Sequence, residues 1–149
     1  MEHFERNQLI PLRDALNSLM KFVREIPSVG IPQFYCFLDY MKNNIEIYLY
    51  APMDANEWET LFLRLKDILI RDWREANHSV WGIPAFDLLI GERENKTELC
   101  LEFLQLVSVI DGFFLKIILL SYLIYGKINC RFYDSRRQLW RTKLFQKTL

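Results

Sequence analysis

The chain has 149 residues, 51% of them apolar and 26% charged, with 19 basic and 19 acidic side chains and a formal net charge of zero. That balance excludes a disordered chain and supplies enough apolar surface for a single core without a disulfide or metal staple. Cys36, Cys100 and Cys130 are odd in number and form no CxxC pair, and the first residues carry two acids without an apolar stretch ending in a cleavage site. Both features point to a cytoplasmic protein with reduced, buried thiols.

The first predicted element is a helix from Pro11 to about residue 26. Pro11 suits a first turn because its missing N–H would have no helical partner there. Leu12, Leu16, Leu19, Val23 and Ile26 form one stripe, and Pro27 and Gly30 mark the loop that follows. Residues 33–51 concentrate aromatic and β-branched side chains in two runs around Asn43-Asn44, which predicts a hairpin. The run from Ile45 to Tyr50 is the firmer strand, and residues 32–41 have a short helix as their alternative.

Asp54 stands three residues before Glu57, the spacing at which two otherwise unpaired backbone N–H groups are satisfied reciprocally. A helix is expected from there, with Trp58, Leu61, Phe62, Leu65, Ile68, Leu69, Trp73 and Ala76 inward and Asp67, Arg71 and Glu75 as ion pairs on the outer face. Over residues 79–91 Pro84 limits a strand to an edge, and residues 91–96 read as a charged turn. Asn95 then precedes Glu98 as a cap, and Glu98, Glu102, Gln105 and Ser108 make a polar stripe at helical spacing, so residues 96–111 are expected as helix. The competing reading takes Asp111-Gly112 as a hairpin turn between strands.

Residues 113–125 are apolar on every face and fit a central strand or a buried helix equally. Although residues 103–125 are long enough to cross a bilayer, Gln105, Asp111 and Lys116 interrupt them, so no membrane span is expected. Residues 129–133 and 139–145 flank a polar Asp134–Arg137 turn and predict a closing hairpin. The sum is a single α+β domain over residues 1–149, with two or three helices packed on one face of a mainly antiparallel sheet.

Chemistry is sparse in this sequence. Only His3 and His78 are present, without the spacing of a metal or Cys–His site, and no Gly-rich phosphate loop or nucleophile elbow occurs, so neither catalysis, a metal nor a cofactor is expected. Asp87 with Glu94 and Lys96 resembles the acid and lysine set of Mg2+-dependent nucleases, but its spacing is too tight for two adjacent strands. A composite enzyme site around Trp81 and Asp87 is the third-ranked reading.

Charge is more informative. Residues 1–126 hold 12 basic and 18 acidic side chains, whereas residues 127–149 hold 7 basic and 1 acidic. Arg131, Arg136, Arg137, Arg141 and Trp140 in that end could pair with phosphates and stack on bases, which makes nucleic-acid binding the second reading. The first reading is a small non-enzymatic protein-binding module, of inhibitor or immunity type, that covers a basic partner with Glu92, Glu94, Glu98 and Glu102. Rings make up 15% of the chain, with some expected at the interface, and residues 113–125 leave room for a homodimer.

Overall fold

Apolar side chains three and four residues apart set the architecture. The computed structural model describes residues 6–26, 30–94 and 97–125. Among them lie a 3-10 turn at Arg6–Gln8 and five α-helices: α1 (Leu9–Arg24), α2 (Tyr35–Tyr50), α3 (Ala55–Ala76), α4 (Ile83–Glu94) and α5 (Thr97–Tyr125). The expected α+β class with an antiparallel sheet is thereby corrected, since the described residues contain no strand. The closing hairpin over residues 129–145 lies outside them. Contacts divide the chain into two units, residues 1–114 and 115–149, with the boundary inside α5.

The hairpin predicted for residues 33–51 is one helix, α2, and the reason is visible in two isoleucines. In a strand Ile45 and Ile47 would share a face, whereas two residues along a helix turn the side chain to nearly the opposite side. Ile45 is fully buried and Ile47 is 62% exposed. The inward set is Phe34, Leu38, Met41 and Ile45, spaced by four, three and four. The alternation from Ile45 to Tyr50 was a coincidence of outward apolar residues lying next to inward ones.

Arg6 closes the far end of α2. Its Nε and Nη2 donate to Tyr48 O at 3.0 and 2.6 Å, and Nη2 also donates to Leu49 O at 2.9 Å and Ala51 O at 2.6 Å. A helix leaves its last carbonyls without internal partners, and a fixed cation there also complements the negative end of the helix dipole. The same guanidinium lies 5.5 Å from the Trp58 ring centroid, so one side chain ties the end of α2 to the start of α3. Arg24 and Arg13 of α1 donate to the hydroxyls of Tyr35 and Tyr50, near opposite ends of α2, which places α1 and α2 antiparallel.

Helix α3 follows its predicted pattern. Glu57 N donates to Asp54 Oδ1 at 2.8 Å and Asp54 N to Glu57 Oε2 at 3.1 Å, completing the reciprocal cap. Trp58, Leu65, Leu69, Trp73 and Ala76 are buried. The ion pair expected of Arg71 with Asp67 and Glu75 is corrected: Arg71 turns to its neighbour, donating to Asp72 Oδ1 at 3.1 and 3.0 Å, and Asp72 itself is buried.

The turn from α3 to α4 is tight. Gly82 N donates to His78 O at 2.9 Å and Phe86 N to Gly82 O at 3.2 Å, so α4 continues directly from the turn. A Cβ on Gly82 would stand 2.5 Å from Ala76 O, His78 N and His78 O, closer than side-chain carbons approach backbone. Residues 79–91, expected as an edge strand, therefore enter helix α4 instead, with Pro84 in its first turn where a missing N–H costs nothing.

Residues 96–111 were expected as helix, and α5 bears this out and runs on through Asp111-Gly112 to Tyr125, which overturns the competing hairpin. Trp73 Nε1 donates to Asp111 Oδ1 at 2.8 Å, and the Trp73 and Phe114 rings lie parallel with centroids 5.5 Å apart. Asp111 thus serves as an acceptor for α3 from a helical position. Four rings join the remaining elements: Phe103 meets Phe22 at 5.9 Å and Phe86 at 5.3 Å, and Phe86 meets Phe34 at 5.4 Å.

Two glycines give opposite expectations. Gly112 sits within α5 with nothing near its missing Cβ. Gly112→Ala is expected to stabilise the protein by about 0.5–1 kcal/mol, because alanine loses less backbone entropy in a helix. Gly82→Ala is expected to destabilise by about 1–3 kcal/mol through forced backbone displacement. Urea unfolding followed by circular dichroism measures both.

Candidate functional site

Helix α4 carries the sequence Ile83-Pro84-Ala85-Phe86-Asp87-Leu88-Leu89-Ile90, apolar on nearly every side. A helix of that kind is ordinarily buried all round, or covered by something else. Here it is half covered: Ile83, Phe86 and Ile90 are buried at three- and four-residue spacing, and Asp87 beside them is only 4% exposed. Leu88, turned away from that set, is 58% exposed. The one acid in this run is inside and a leucine is outside.

Helix α5 returns alongside α4. Cys100 Sγ lies 3.9 Å from Asp87 O, and Phe86 meets Phe103 edge-on. These contacts run in opposite chain directions, and because two residues along a helix turn the side chain by about 200°, Glu98 and Glu102, each two residues from Cys100, lie on the side of α5 away from them. Both glutamates are exposed, one turn apart, and the stripe they begin continues outward through Gln105 and Ser108 as the spacing predicted. Glu98 also falls in the first turn of α5, where a negative charge complements the helix dipole. Glu102 one turn later repels it by a few tenths of a kcal/mol, a cost typical of like charges four residues apart and small enough for a surface to carry.

Of the four predicted acids, Glu98 and Glu102 share the exposed side of α5. Glu92 and Glu94 fall in the last turn of α4. Asn95, the predicted cap, and Lys96 lie outside the described residues, as do Arg131, Arg136, Arg137, Trp140 and Arg141 of the basic end. Sequence reasoning missed Leu88, because a leucine in an apolar run reads as core. Only the phase of α4 separates it from Phe86 and Ile90.

The residues of the composite enzyme reading are placed elsewhere in role. Trp81 is stacked between His78 at 4.6 Å and Phe37 at 5.6 Å, and His78 Nδ1 accepts from Val80 N at 3.2 Å. Asp87 is buried beside Cys100. Cys100 is buried as expected, but Cys36 is exposed, which corrects the reading of every thiol as interior. Among the described residues no group of three or more His, Cys, Asp or Glu side chains could hold a metal ion, and no helix is long and apolar enough to cross a membrane.

Comparison with family models, with curated proteins and with solved structures finds no match to this chain.

The orientation of α4 has a direct consequence for stability. Leu88→Ser is expected to change the unfolding free energy by no more than about 0.5 kcal/mol, as for other surface positions. Phe86→Ala, two residues away, is expected to cost about 3–5 kcal/mol by opening a cavity between Phe34 and Phe103. Paired urea titrations decide it.

Proposed function

We propose that the protein is a small non-enzymatic binding module that covers a basic protein partner with the acidic stripe of α5, in the manner of an inhibitor or immunity protein. The observation that supports this reading is that stripe: Glu98, Glu102, Gln105 and Ser108 are all exposed, and the two acids lie one helical turn apart. An exposed face of one charge sign steers the encounter with a partner of the opposite sign.

An acidic stripe repels phosphates, so nucleic acid is disfavoured at this face. Any such binding would rest on the basic chain end.

The test is a pull-down from the native host with the full-length tagged chain, beside the Glu98→Lys/Glu102→Lys double variant. A stoichiometric basic protein is expected with the parent chain. Reversing these two charges is expected to slow its association about tenfold or more at low salt, with the difference shrinking as salt screens the face. Failure to capture any stoichiometric protein, or capture with an association rate indifferent to both charges, would count against the reading.

A further inference from the structure

Independently of the α5 reading, we infer that α2 pairs with α2 of a second copy of this chain, the two helices running parallel and in register along their outer faces. The outermost line of α2 is Cys36, Tyr40, Asn43, Ile47 and Tyr50, all exposed and separated by four, three, four and three residues. A surface helix ordinarily sets its charged residues on that line. Here the line carries none: Tyr40, Ile47 and Tyr50 are 53%, 62% and 72% exposed, while Asp39, Lys42 and Glu46 lie to its sides and are half-buried. Alternating four- and three-residue steps are the spacing of a two-helix seam, in which side chains of one helix insert between those of the other.

The rings on this line are held in place. Arg13 Nη1 donates to the Tyr50 hydroxyl at 2.6 Å, and Tyr40 lies edge-on to Phe37 at 6.0 Å, whose ring stacks on Trp81 at 5.6 Å. Side chains already fixed lose little entropy on contact. Taking about 200 Å2 for a large side chain in full exposure, Tyr40, Ile47 and Tyr50 together offer about 400 Å2 per copy. With Cys36, Asn43 and the flanking residues, a pair of copies buries on the order of 1,000 Å2, the size at which specific interfaces begin and association is weak.

Charge selects the orientation. At about 100° per residue, Asp39 and Glu46 fall on one edge of the line, and Phe37, Asn44 and Ala51 on the other. In a parallel pair around a two-fold axis, the acidic edge of each copy meets the uncharged edge of the other. An antiparallel pair would instead set Asp39 of one copy against Glu46 of the other, like charge against like. The parallel register also brings Asn43 to Asn43, and a lone polar residue in such a seam fixes the register at some cost in stability. The Asn43 amide donates one N–H to Asp39 Oδ2 at 3.3 Å and keeps its second N–H and its carbonyl for the other copy.

Sedimentation equilibrium of the full chain between about 1 and 200 μM, the range suited to a weak interface, is expected to show monomer and dimer in exchange. Ile47→Asp, which sets two carboxylates together in the seam, is expected to weaken dimerisation about tenfold or more, and Tyr40→Ala to weaken it in the same direction. Leu88→Asp, a comparable change at an exposed leucine of α4, is expected to leave it unchanged. Circular dichroism matching the parent checks that each variant is folded. With Cys100 and Cys130 replaced, mild oxidation is expected to join two copies through Cys36, because an in-register parallel seam brings equivalent Cα atoms within disulfide reach.

A parent chain that stays monomeric over the whole range overturns the pairing, as does a dimer indifferent to both Ile47→Asp and Tyr40→Ala. A dimer lost with those variants but never joined through Cys36 overturns the parallel register. A monomeric chain that captures a host protein and loses it on Ile47→Asp overturns the second copy in favour of a different occupant of the same face.

Discussion

The rotation of α4 depends on the close approach of Gly82 to the end of α3. Three backbone atoms, Ala76 O, His78 N and His78 O, occupy the space where a Cβ would stand, and hydrogen bonds donated by Gly82 N to His78 O and by Phe86 N to Gly82 O carry the chain from the turn into α4. Since a helix advances about 100° per residue, the point at which α4 begins decides which of its residues face inward. Shifting that start by one residue would send Asp87 or Leu88 to a different side. With the turn as it stands, Phe86 enters the cluster with Phe34 and Phe103, and Leu88 is left outside.

The opposite partner in this arrangement is held by Trp73. Its indole N–H reaches Asp111 on α5, and its ring lies flat on Phe114, so α3 holds α5 near its middle. Nearer the start of α5, Phe103 and Cys100 sit against Phe86 and Asp87. Helix α5 is thereby supported along the stretch that carries Glu98 and Glu102 outward. A charged stripe built on a packed helix costs little ordering entropy when a partner arrives, compared with the same charges on a loop.

Two helices were legible from sequence because independent signals agreed there. In α3 the Asp54–Glu57 cap and six turns of apolar spacing coincide, and α1 has both its stripe and its proline in the first turn. In α2 the signals conflicted: β-rich residues from Ile45 to Tyr50 alternate locally, while the true inward set runs back through Met41 and Leu38 to Phe34. Residue type won the reading and burial wins the structure, since β propensity mostly reports fit to a half-buried pleated surface. Asp111-Gly112 misleads for a related reason. The pair is a turn signal in isolation, but here Asp111 accepts from Trp73, a partner 38 positions away that no local window contains. Of the site itself, the acidic stripe could be read from spacing, whereas the outward turn of Leu88 comes from tertiary packing.

The most direct test of the account is the accessibility of α4 side chains in the native protein. In a chain with Cys36, Cys100 and Cys130 replaced, single cysteines at position 88 and at position 90 are to be titrated with a thiol reagent under native conditions. The account predicts that Leu88→Cys reacts at nearly the rate of the unfolded chain, and that Ile90→Cys, at a fully buried site, reacts only through opening of the fold. Protection at position 88 with fast reaction at position 90 would show that α4 is rotated the other way, and Phe86 and Ile90 would leave the core.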